Sequence, residues 1–138
     1  RPSRCSPVGQ KNAENSSLLA YEKCLKKIES CIGAKRTTET QLIEAGHIMF
    51  PDFMGVFASG DLLPHKGCFI SNNKSRASGG EHWLACADNV WYDSFGRSEY
   101  FDKSGDAEQS ESEVNCGQRY LSWLWVCHTR GVAAAKLI

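Results

Sequence analysis

The sequence carries no net charge, no long apolar run and no paired-cysteine motif, and each absence removes a class of function. Sixteen basic residues balance sixteen acidic ones, so no global field favours nucleic acid or a membrane surface. No apolar stretch approaches the roughly 18–20 residues of a membrane span, and none has the form of a secretory signal core. Neither membrane contact nor secretion is expected. The seven cysteines include no C-x-x-C. Cys24 and Cys31 lie seven apart on an expected helix, and Cys127 adjoins His128, but neither pair completes a four-ligand zinc set. No metal and no cofactor are expected. An odd cysteine count also argues against a secreted disulfide framework. Cys68-Phe69-Ile70 and Leu84-Ala85-Cys86-Ala87 set their thiols among apolar neighbours, where cysteine behaves as a small hydrophobe. A reducing compartment follows as the expectation. Repeats and low-complexity segments are absent too.

What is present is ordinary globular composition, 41% apolar and 23% charged over 138 residues, enough for a single modest core. The first residue is Arg1 rather than Met, and the expected origin is a trimmed or released piece of a longer product. Arg1, Arg4, Lys11, Lys23, Lys26, Lys27, Lys35 and Arg36 make the first quarter basic, read as a solvated tail and helix face. Residues 1–15 read as a flexible leader. Leu18, Tyr21, Leu25, Ile28 and Ile32 recur at three- and four-residue steps and predict a helix from Ser17 to Ile32, stopped by Gly33. Thr37 or Thr38 should cap a second helix that Gly46 ends. Phe50 to Pro64 reads as an irregular segment packed on the core, and Gly67 to Asn72 as a strand. Glu81 to Ala87 and Val90 to Ser94 read as a hairpin turning at Asp88-Asn89. Ser104 to Asn115 is polar and reads as a loop. Cys116 to Thr129 should be a helix with Tyr120, Trp123, Leu124 and Cys127 in a buried stripe.

One ordered set of residues points to a specific chemistry. His82, Asp93, Gln109 and Cys116 supply, in that order, a base, an orienting acid, an oxyanion donor and a nucleophile. A cysteine nucleophile works as the thiolate, and a helix N-terminus favours that anion. His82 on a strand has a rigid mount, and Asp93 on the neighbouring strand can fix its tautomer. Gln109 and the backbone N–H of Cys116 would receive the oxyanion. Gly117 and the pair Gly79-Gly80 leave room for an extended peptide, and Trp83 can wall the cleft; these four are the candidate substrate-binding residues. Taken singly, each residue has a commoner role in packing, turns or solvation. The order and the local contexts give the set its weight.

Those contexts are Phe50-Pro51-Asp52-Phe53-Met54-Gly55-Val56-Phe57-Ala58-Ser59, Asp61, Leu63-Pro64, Gly79-Gly80-Glu81-His82-Trp83-Leu84-Ala85, Tyr92-Asp93-Ser94-Phe95-Gly96, and Gln109 with Cys116-Gly117. Together they resemble the adenovirus-type (adenain-like) maturation cysteine proteases of large DNA viruses and self-synthesising transposons, relatives of the SUMO-deconjugating enzymes. The resemblance runs from about Thr37 to Gly131, roughly two-thirds of the chain. It implies an α+β fold with a mixed β-sheet packed against helices and the nucleophile at the N-terminus of a central helix. It divides the chain into an N-terminal leader and extra helix, 1–36, and a cysteine protease domain, 37–138. It implies His82, Asp93 and Cys116 as the triad and Gln109 as the oxyanion donor. The implied activity is cleavage of viral capsid or core precursors at small-residue or Gly-containing sites. The implied setting is the host nucleus or cytoplasm and the virion, and the expected state is a monomer. An activating peptide or DNA would be a partner by family analogy only. Only fifteen residues separate Asp93 from Gln109, where family members place a further helix and strand. Residues 1–36 are an addition, expected to cover surface that the shorter segment leaves open. The alternatives are a protease that removes ubiquitin or a ubiquitin-like modifier, and an inactive protease-like binding module.

Overall fold

The computed structural model describes residues 8–58, 60–64, 66–72, 83–92 and 115–138. Their order is α1 (Val8–Ile32), α2 (Glu39–Met49), β1 (Phe53–Phe57), β2 (Cys68–Asn72), β3 (Trp83–Ala87), β4 (Val90–Tyr92), α3 (Cys116–Arg130) and α4 (Val132–Ala135). The four strands form one sheet in the order β1-β2-β3-β4. β1 and β2 are parallel, and the other two pairings are antiparallel. The fold is therefore α+β with a mixed sheet and helices.

The hairpin forms where the sequence places it. Asp88 (φ 48°) and Asn89 (φ 67°) both take the left-handed conformation. This is the turn that two-residue hairpins need, and Asp and Asn tolerate it better than most residues. β2 is central and buried along its whole length. Alternation along the strands separates two faces. Cys68, Ile70, Ala85 and Ala87 turn to the core shared with α3. Phe57, Phe69 and Trp91 turn the other way in a file of edge-to-face rings, each step 5.5 Å between centroids.

α3 is the hub. It packs on α1 and α2 on one side, on β3 across the sheet, and on α4. Its buried residues include Tyr120, Leu121, Trp123, Leu124 and Val126, so burial extends well beyond the single stripe that periodicity suggests, while Cys127 is only half-buried. Tyr21, Leu25 and Ile28 of α1 belong to this same core. The hydrophobic core thus runs through residue 36 without dividing there, and α1 covers α3 itself.

Four expectations need correction. α1 begins at Val8, so half of the expected leader is helical; Gln, Lys, Ala and Glu sustain a helix without an apolar period. α2 runs through Gly46 to Met49. It starts on a capping box in which the Thr38 hydroxyl accepts from the Gln41 N–H while the Gln41 side chain accepts from the Thr38 N–H. The segment read as irregular contains β1. A bulge between Phe53 and Val56, with Gly55 at φ 125°, breaks the two-residue alternation that reveals a strand. The short helix α4 was not expected at all.

Gly46 is a packing residue rather than a stop. A methyl group there would fall on the Phe53 ring, because α2 crosses β1 at that point. Gly46→Ala is expected to lose about 1–3 kcal/mol through overpacking. Chemical denaturation checks this; a variant as stable as the parent would show that the ring yields freely.

Candidate active site

Cys116 is the first residue of α3 and is half-buried. Asn115 precedes it as the N-cap residue, with φ −96° and ψ 29°. Asparagine in this place usually caps the helix with its side chain. Here it makes no such bond. Its Nδ2 donates to Glu29 Oε2 of α1 at 3.2 Å, and its Oδ1 accepts from Arg119 Nε at 3.0 Å. The Arg119 backbone N–H donates to the Asn115 carbonyl at 3.1 Å. Arg119 Nη1 also donates to the Tyr21 hydroxyl at 3.5 Å, and the Tyr92 hydroxyl donates to Tyr21 at 3.4 Å. One polar network therefore joins α1, the start of α3 and the end of β4.

The next turn is fixed from another direction. Gln118 is fully buried, and its Nε2 donates to the carbonyls of Gly33 (2.7 Å) and Lys35 (2.8 Å). This ties the α1–α2 connection to the first turn of α3. Gly117 is buried against Thr37 and Leu42, and a methyl group at Gly117 would collide with the Thr37 hydroxyl. The bare α-carbon thus admits the connection. Gln118 Oε1 and Thr37 Oγ1 are buried without a hydrogen-bond partner among the described residues.

The hairpin docks beside this helix start. Tyr92 stacks on Trp123, with centroids 5.1 Å apart and planes at 4°, and meets Tyr120 edge-on at 5.6 Å. Tyr120 lies one turn after Cys116. Trp83 opens β3, pairs with Asn72 and packs half-buried against the core. Of the expected site residues, Cys116, Gly117 and Trp83 are thus described. Gly79, Gly80, His82, Asp93 and Gln109 lie outside the described residues. Asn115, Arg119, Glu29 and Tyr21 were not singled out for the site. An asparagine directly before an expected helix was the one local signal that could have drawn attention to Asn115.

The thiols divide into two groups. All six cysteines among the described residues are free. Burial pushes the Cys68 thiol up to about 12, helped by the Asp52 carboxylate, to which Cys68 Sγ donates at 3.7 Å. Burial likewise pushes Cys86 up to about 11, and it raises Cys127 and Cys24. Cys31 is exposed. A thiol whose folded value is raised holds its proton in the native state and releases it more readily when unfolded. Its stabilising effect is full below the ordinary value of 9.0 and is lost as pH rises through the folded value. The urea midpoint is therefore expected to fall between about pH 9 and pH 11, and the fall should be shallower in Cys68→Ala. Identical pH dependence in the two proteins would remove Cys68 from the cause.

Among the described residues, no group of three or more His, Cys, Asp or Glu is placed to hold a metal ion, and no helix is long and apolar enough to cross a membrane. The chain matches no family model, and no curated protein is significantly similar to it in sequence.

Proposed function

We propose that this chain is a cysteine endopeptidase with Cys116 as its nucleophile. The observation that carries the reading is the position of that thiol. It opens the central helix, beside an N-cap side chain that is turned toward Glu29 and Arg119 instead of over the helix end. Unpaired N–H groups at such an end favour both a thiolate and the oxyanion it generates. The hairpin supports the same reading. β3 begins one residue after His82 and β4 ends one residue before Asp93, and β4 rests on α3 through Tyr92.

In the proposed reaction the Cys116 thiolate adds to the scissile carbonyl, and the C=O electron pair moves onto oxygen. The Cys116 backbone N–H and the Gln109 amide stabilise that oxyanion. Collapse breaks the C–N bond, and the imidazolium of His82 delivers its proton to the departing amine. His82 then removes a proton from the water that adds to the thioester carbonyl; the C–S bond breaks, and the Cys116 thiolate and His82 imidazolium are restored. Asp93 holds the imidazole in the tautomer that both steps require. The motif resemblance supplies the proposed substrates: viral precursor proteins, cleaved at small-residue or Gly-containing sites.

Peptide-library profiling tests the reading. Cleavage at small or glycine residues is expected. A protein that releases ubiquitin-like modifiers but spares precursor peptides would move the substrate to deconjugation. A protein that cleaves neither would leave a binding module.

A further inference from the structure

We propose that Glu29 is a positioning residue for Cys116, acting through Asn115 from a helix outside the region of motif resemblance. This inference rests on the protease reading and assigns α1 a part in that site. The geometry is specific. Asn115 is 8% exposed, and its amide is held at both ends, the nitrogen by the Glu29 carboxylate and the oxygen by the Arg119 guanidinium side. An asparagine at an N-cap is ordinarily free to swing its oxygen onto the N–H groups two and three residues ahead. Held this way, it does not cap them. The hydrogen-bond donors at the helix start are then left to serve an anion instead of the protein's own amide.

Arg119 extends the restraint. It returns to the Asn115 carbonyl through its own backbone N–H, one turn along, and reaches Tyr21 of α1 through its side chain. Tyr21 accepts from Tyr92, the residue that precedes Asp93. The same α1 face thus contacts the residue before the nucleophile and the residue before the orienting acid. Leu25, between Tyr21 and Glu29 on that face, is in the core, so the helix is seated firmly enough to hold both.

Removing the Glu29 carboxylate should leave the Asn115 amide restrained by Arg119 alone, and so freer to swing its oxygen over the start of α3. The helix would survive, and its first N–H groups would be occupied. The predicted effect falls on the thiol and on turnover, with little change in substrate binding.

The experiment measures iodoacetamide modification of each cysteine by mass spectrometry in the full chain, in parallel with peptide hydrolysis. Exposed Cys31 is the internal reference, and buried Cys68 and Cys86 report unfolding. In the parent, Cys116 should react faster than Cys31. In Glu29→Ala the Cys116 rate and kcat should each fall about tenfold, the scale of one lost charge-assisted hydrogen bond, with KM unchanged. Glu29→Gln keeps an acceptor for Asn115 Nδ2 and should recover most of the loss. A parent Cys116 no faster than Cys31 overturns the protease reading itself. A fast parent thiol with an unchanged rate in Glu29→Ala overturns the positioning role and leaves that reading standing. A slowed Cys116 together with newly reactive Cys68 and Cys86 also overturns it, because Glu29 would then support the fold alone.

Discussion

Replacing Cys116 by alanine is expected to reduce peptide hydrolysis at least about 10⁴-fold, since removal of a catalytic nucleophile leaves only binding and oxyanion stabilisation. The loss should appear in kcat, with the fold intact. The site explains why the effect can be separated from stability. The Cys116 thiol is half-buried at the helix start, while the first turn is held by its neighbours Asn115 and Gln118. Circular dichroism and thermal midpoint should therefore match the parent. His82→Ala should be almost as damaging, whereas Asp93→Asn should cost less if that acid chiefly orients the imidazole. Cys116→Ser gives a sharper criterion. A serine hydroxyl stays protonated where a thiol can ionise, so full activity in that variant would sink the thiolate–imidazolium mechanism.

Trp123→Ala is expected to destabilise the fold by about 3–5 kcal/mol, the range for deleting a buried large aromatic. Against a total stability of roughly 5–15 kcal/mol for a domain, this is enough to unfold much of the population on mild heating. Three interactions disappear together. The indole is 2% exposed in the core, stacks on Tyr92, and donates from Nε1 to the Ala135 carbonyl at 3.2 Å. The variant therefore leaves a cavity, an undocked hairpin end and an Ala135 carbonyl held only by the Ile138 backbone N–H at 3.1 Å. Trp123→Phe keeps an aromatic surface for Tyr92 and should recover part of the loss. Urea titration measures both. A loss below about 1 kcal/mol would mean that the hairpin is seated mainly by other contacts.

The sequence made some of these features readable because their causes are local. Asp88-Asn89 announces its turn through the conformations those two residues tolerate. Thr38 and Gln41 announce the start of α2, and the apolar spacing after Cys116 announces α3. The misses have equally definite causes. Gly46 looks like a stop until Phe53 occupies the space of its absent side chain. β1 is hidden by a bulge that disrupts the very periodicity used to detect strands. At the candidate site, the place of Cys116 at the head of α3 was legible, because a cysteine heading an apolar helix is a local pattern. The partnership of Glu29 with Asn115 was not, since the two are 86 positions apart and neither belongs to a motif. Gly117 was read as clearance for a substrate carbonyl, yet the structure fills that clearance with Thr37, a neighbour that no local window contains.

The long reach between α1 and α3 also sets a timetable. Arg119 and Tyr21 are 98 positions apart, and Gln118 and Gly33 are 85 apart. A ribosome adds about 5–20 residues per second, so α1 waits several seconds for the helix it must clasp. During that interval the apolar face of α1 has no partner from α3, and Cys116 has not yet been added to the chain. In the proposed peptidase, residues 1–115 would all be joined before the nucleophile is added, so they would be made in the absence of the activity.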